Sequence, residues 1–275
     1  MFEYDFFRLA LAGVVIIAVA AAMIGTYIIS RRLVALSGGV THACFGGLGL
    51  GYYLGVSPIA MAGVFAVASS LGVEWMARHL HVREDSAVAV IWAIGMAVGV
   101  LFVFLTPGYV PELNSFLFGN ILTVNTTDIA VFGAFTAALL AFFGWKYRQI
   151  VAVAFDRDFA RVAGVPVTFI SITMTVMTAL CIVLTIRLVG VMLLMSMLTL
   201  PMMVAEVWLH RFGPLMVAGA VVSVLCGVGG LFIGIFIDVP CSAIIVMLLC
   251  CAYIVSRGAH MAVTRTRGLR CRPRA

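Results

Sequence analysis

Apolar residues along this chain come in runs of about twenty, and short polar breaks separate them. A transmembrane helix needs about 20 apolar residues, so each run is long enough to cross a bilayer. Nine such runs are legible, near 9–30, 33–55, 58–77, 87–106, 128–145, 167–187, 189–208, 214–236 and 240–256. Only Arg187 divides the sixth from the seventh. The pattern predicts an all-α polytopic membrane protein of about nine transmembrane helices. The runs are continuous rather than alternating, which argues against a transmembrane β-barrel.

The charges orient the bundle. With the N-terminus outside, 15 of the 17 basic residues fall in cytoplasmic segments and only Arg8 and Arg187 fall outside. The positive-inside rule therefore gives N-out/C-in. Five of the 11 acids (Glu3, Asp5, Glu112, Asp128 and Asp238) fall outside, leaving that face net negative. Negative charge at an outer mouth raises the local cation concentration.

Composition removes whole classes of function. Charged residues make up 10% of the 275 and hydrophobic ones 64%, against roughly 25% and 45–50% in soluble domains. A soluble enzyme is excluded. Basic residues sit where topology places them, so the net charge of +6 calls for no nucleic acid. Six of the seven cysteines lie in or beside apolar runs and none forms a CxxC pair, which reads as free thiols within the membrane. The first run is too long for a signal peptide and begins with Glu3 and Asp5 rather than a positive stretch. There is no GxxxxGK[ST], no HExxH and no GxSxG. The chain thus lacks an ATP site of its own and the usual hydrolase signatures.

Two segments do not span. Pro107 to Thr127 is half apolar and reads as a short interfacial or re-entrant helix on the outer side. On the inner side, Ile150 to Pro166 is long for a loop. Asp156 or Asp158 is placed to cap a short helix there, which Gly164 and Pro166 would end. Residues 1–257 form one transmembrane domain, and 258–275 a basic cytoplasmic tail, disordered or lying along anionic headgroups.

Within the second run, seven of the 18 residues from Gly38 to Gly55 are glycine. Gly39, Ala43, Gly47, Gly51 and Gly55 recur every four residues and form a ridge over which another helix can pack closely. His42 lies one residue from that ridge and shares a face with Gly38 and Gly46. An ionisable group at membrane depth is a functional-site candidate, and imidazole ligates zinc, manganese or iron. The plainer alternative is a neutral histidine bonded to a backbone carbonyl. Cys44 points to a different face, so sharing an ion with His42 would require local unwinding. In the seventh run, kinked by Pro201, residues Met202, Glu206 and His210 fall at i, i+4 and i+8. They form either a ligand ladder at the inner mouth or the polar end of a span. Glu74 and Arg78 make an i, i+4 pair at an inner boundary.

These fragments, in order over about residues 10–256, resemble the permease subunits of bacterial ABC importers for zinc, manganese and iron. The resemblance is carried by Arg31-Arg32, Thr41-His42-Ala43, Glu84-Asp85-Ser86-Ala87, Leu117 to Leu122, Phe155 to Pro166, Val189-Gly190-Val191 and Leu198 to Pro201. It implies a type II ABC importer-like permease bundle in the inner membrane. It further implies a homodimer docked on two cytosolic ATPase subunits that use the ATP, and an extracytoplasmic metal-binding protein that delivers the ion. No cofactor is held permanently; the divalent metal is cargo. The segment about 151–166 resembles the coupling helix that seats in the ATPase, with Phe155, Asp156, Asp158, Phe159, Arg161 and Gly164 as its residues. The family often carries an acid four positions before the histidine, where this chain has Gly38. Either a methionine of the seventh run or Cys44 is then the substitute ligand, or the ion passes without tight binding. The rival readings are a permease for a siderophore or haem and a stand-alone ion-coupled carrier.

Overall fold

The computed structural model describes residues 5–80, 82–107, 119 and 124–270. They form nine helices: α1 (Asp5–Ser30), α2 (Val34–Leu54), α3 (Pro58–His79), α4 (Glu84–Leu105), α5 (Thr126–Phe155), α6 (Arg157–Val162), α7 (Val167–Glu206), α8 (Phe212–Ile237) and α9 (Cys241–Arg270). Among the described residues, all but α6 are long and apolar enough to cross a membrane, eight in number. The chain is a multi-pass membrane protein.

The predicted sixth and seventh runs are the two legs of α7, which meet at Gly190 without a loop between them. At 1.5 Å per residue its 40 residues would rise about 60 Å, twice a hydrocarbon core. It does not run straight. Gly190 breaks it with φ +79° and ψ 171°, a conformation open to glycine alone. Ser171, near its start, bonds Arg31 and Arg157, and Glu206, its last residue, lines a cavity with the same two arginines. Between them, Arg187 pairs with Asp128 at the opposite end of the bundle, 2.7 Å away. The legs 167–189 and 191–206 therefore run antiparallel, and eight helices make nine passes. The separator is Gly190 rather than Arg187. Gly119 fits against this turn: a Cβ on it would lie 2.2 Å from the Val189 carbonyl carbon. Apart from Pro107, Gly119 and 124–127, the predicted outer helix lies outside the described residues.

Nine passes place the termini of the bundle at opposite ends, as the charge pattern requires. α9 does not stop at 256. It continues as helix to Arg270, beyond the predicted start of the tail at 258. Nothing after Ser256 breaks it except Gly258, and Trp208 braces it by donating from Nε1 to the Ser256 hydroxyl at 2.8 Å and meeting His260 edge-on.

The core is organised around α2, which is buried from Leu36 to Gly51 on most positions. Its glycines let backbones touch. A Cβ on Gly49 would lie 2.3 Å from the Gly99 carbonyl oxygen of α4, and one on Gly47 would lie 2.4 Å from the Met61 carbonyl oxygen of α3. Gly51 meets the Pro58 backbone in the same way, and Gly39 takes the Val88 side chain. Gly55, grouped with this ridge by spacing, does not belong to it: a Cβ there would meet nothing within 4 Å, and its φ of +67° instead caps α2.

Candidate functional site

His42 lies in the middle of α2, half-buried, on the side that faces α4. Its ring stacks on Trp92 with centroids 4.6 Å apart and planes within 4°. Stacking occupies the face of the imidazole and leaves both nitrogens at its edge, where a metal ion would be met. One turn earlier, Gly38 leaves room that Met195 of the α7 return leg enters: a Cβ on Gly38 would lie 2.9 Å from the Met195 methyl carbon. The missing acid is thus replaced in space by a thioether side chain, which is soft and adaptable.

The other predicted ligands lie elsewhere. Cys44 is fully buried, and its thiol donates to the Val40 carbonyl at 3.1 Å. It is not brought beside His42, because residues two apart on a helix face different ways. Met202 is fully buried between α1 and α8; it accepts from the Thr26 hydroxyl at 3.1 Å and packs over Gly219. Glu206 is exposed at the inner end, where α7 stops, so His210 does not continue its ladder. Both line an inner cavity of about 620 Å³ together with Arg31, Arg32, Asp156 and Arg157. Among the described residues, no three or more His, Cys, Asp or Glu converge as a metal cluster. The predicted pathway set is therefore divided among the α2 face, the α1–α8 interior and the inner mouth.

Sequence reasoning missed Trp92, and offered the methionines of the seventh run without singling out Met195. Gly95 and Gly99 mark the α4 face that touches α2, and Trp92 shares that face at i, i+3 and i+7. That spacing was a usable signal. Nothing separates Met195 from the four other methionines near it in sequence.

The inner segment folds as its residues predict. Asp156 caps α6, its carboxylate accepting from the Asp158 and Phe159 amides at 2.9 Å each. Gly164, at φ +77°, ends the turn. Phe155, Phe159 and Val162 are 60%, 67% and 89% exposed, an apolar surface on the cytoplasmic side. Arg157 turns the other way, into a group of charges at the inner end of the bundle. Arg31 and Arg157 both donate to the same Glu84 Oε1 at 3.2 Å. Three fragments far apart in sequence thus meet: the paired arginines after α1, the acidic start of α4 and the inner segment.

A bundle of this topology, with a buried glycine-rich helix bearing a histidine and a capped helix on its cytoplasmic side, has the layout of a transporter's membrane subunit. The profile of the ABC 3 transport family matches residues 3–259, and the chain belongs to that family. It is 33% identical over 245 residues to a probable metal transport system membrane protein of Chlamydia pneumoniae, covering 87% of this chain and 84% of that one. The manganese transport system membrane protein MntC of Halalkalibacterium halodurans is 26% identical over 251 residues, covering 90% and 85%. Among solved structures, PsaBC from Streptococcus pneumoniae in complex with Fab has the same fold, with a TM-score of 0.80 at 24% identity, covering 92% of this chain and 91% of that one.

Proposed function

We propose that this chain is the transmembrane permease subunit of an ATP-driven importer of a divalent transition metal, zinc, manganese or iron. The observation that carries the reading is the family match over residues 3–259 on a chain with no ATP-binding sequence of its own. The permease works as a homodimer on two cytosolic ATPase chains, which perform the catalysis, and receives its ion from an extracytoplasmic binding protein. The five acids of the outer side favour the approach of a cation.

His42 lies on the path of the ion. Trp92 fixes the ring plane, and the edge nitrogens offer a ligand that releases as readily as it binds. With Gly38 in place of an acid and the Met195 thioether over it, the donors suit zinc or iron(II) better than manganese, which prefers carboxylates. Glu206 belongs to the inner exit, and Met202 and Cys44 support the helices around it. α6 is the coupling helix. Its exposed Phe159 and Arg161 are the kind of anchors that hold a helix in a partner's groove.

The test is uptake of Zn²⁺ and Mn²⁺, offered separately, by vesicles holding the permease with and without its ATPase. Uptake should require both ATP and the ATPase. The double variant F159A/R161A should insert normally and lose at least about fivefold of uptake, since anchor truncations cost upward of 1 kcal/mol. Uptake by the permease alone would remove the class; normal uptake by the double variant would remove the coupling assignment.

A further inference from the structure

α6 has two unlike sides. Phe159 and Val162 face the cytoplasm, and the side chains of Asp158 and Arg161 are 93% and 71% exposed. Arg157, the first residue of the same helix, is only 27% exposed and points into the bundle. There its guanidinium donates to Glu84 at the start of α4 and to the Ser171 hydroxyl of α7, and lies 3.5 Å from Glu74 at the inner end of α3. Arg31, which ends α1 and is 7% exposed, donates to the same Glu84 oxygen, to the same Ser171 and to Tyr27. Glu74 in turn holds Arg78 and accepts from Thr175 of α7 at 2.9 Å. One side chain of the cytoplasmic helix therefore touches groups from three spans, and a fourth through Glu84.

The group is unbalanced. Three arginines face two glutamates, and Arg31 and Arg157 compete for one carboxylate oxygen. The Nε of Arg157 is buried without a partner, as is the Ser70 hydroxyl, and both line a small cavity inside the group. Burial, with the like charge of Arg31 beside it, lowers the Arg157 pKa from its ordinary value. A shared acceptor with an unsatisfied donor beside it offers alternative pairings, which a close-packed apolar contact does not.

We propose that Arg157 is the positioning residue that transmits movement of α6 to α1, α3 and α4, by trading its hold on Glu84 with Arg31, and on Glu74 with Arg78, as the helix shifts. The inference rests on reading α6 as the helix that docks the ATPase. It assigns Arg157 a part distinct from docking: the outward residues hold the partner, and the inward arginine conveys the stroke.

The test uses the full transporter in proteoliposomes, with Zn²⁺ and Mn²⁺ offered separately. Two quantities are read: metal ions moved per ATP hydrolysed, and ATPase retained on the permease. R157Q keeps hydrogen-bond donors but loses the charge. It should retain the ATPase while the metal-per-ATP ratio falls at least about fivefold, the lower end of typical coupling between sites. R157K keeps the charge but loses the planar fork, and should recover part of that ratio while remaining about twofold below the wild type. If R157Q fails to accumulate, R157K decides: a ratio below wild type supports the assignment and an unchanged one overturns it. A wild-type ratio in both variants, or loss of the ATPase in step with the ratio, also overturns it. F159A/R161A separates the two ideas. If that double variant uncouples while R157Q does not, only the transmitting role fails; if the double variant transports normally, the docking reading fails and the inference with it.

Discussion

The middle of α2 and the inner end of the bundle are both buried, and each holds groups foreign to a lipid interior, yet they are held in opposite ways. Around His42 the helices meet backbone to backbone. Gly49 lies against Gly99, and Gly95 against Ala43, with no space for a methyl group. At the inner end, Arg31, Arg157, Glu74 and Glu84 are joined by hydrogen bonds and ion pairs that share acceptors. Close backbone contact has one arrangement and cannot yield by degrees. Charges that share acceptors can pair in more than one way. The contrast assigns rigidity to the region around His42, where we propose that the ion passes, and adjustability to the inner end.

The largest effect should come from forcing the rigid region apart. In G49A the new methyl would lie 2.3 Å from a carbonyl oxygen and 2.9 Å from the Gly99 Cα, atoms that cannot swing aside. Overpacking of this kind costs about 1–3 kcal/mol, and the amount of permease in the membrane should fall severalfold. The same change in G133A meets nothing within 4 Å and should leave the amount unchanged. Equal losses in both, measured by quantitative immunoblot of membranes, would mean that glycine content rather than helix contact matters.

A smaller and more selective effect is expected in G38D. Its Cβ would lie 2.9 Å from the end of the Met195 side chain, which is flexible and can turn away, so the protein should accumulate. A carboxylate one turn from His42 adds a hard donor, and uptake of Mn²⁺ relative to Zn²⁺ should rise by about threefold. Competition between the two labelled ions reads this directly. An unchanged preference would make α2 a packing element only.

How far these sites were legible depends on the kind of signal. The spans could be read because burial in lipid demands about 20 apolar residues in a row. His42 could be read because a lone imidazole at that depth has no ordinary reason to be there. The turn at Gly190 was legible only to within a few residues, since Arg187 is the one charge in an otherwise continuous apolar run. Met202 and Glu206 were grouped by helical spacing, but spacing does not show which neighbour a face meets. Met202 turned inward to Thr26 while the helix ended at Glu206. Arg157 gave no signal at all, because the direction of one side chain on a six-residue helix is set by Glu74 and Glu84, more than 70 residues away in sequence.

The smallest effect should follow C44A. The thiol is fully buried and bonded only within its own helix, so uptake should stay within about twofold of wild type, as for loss of a small buried hydrophobe. A loss as large as that of a true ligand would return Cys44 to the pathway and require α2 to unwind.

The central claim is that the ion passes His42 in a rigid frame. The direct measurement is Zn²⁺ uptake per molecule of permease in H42A, with uptake and membrane abundance determined on the same cells. Removing the imidazole should leave abundance near wild type, since the closest α2 contacts are made by glycine backbones and the half-buried ring adds a single stack on Trp92. Uptake per molecule should fall at least about tenfold, equal to about 1.4 kcal/mol of lost binding or transition-state stabilisation. Normal uptake per molecule with reduced abundance would contradict the account and make His42 a packing partner of Trp92.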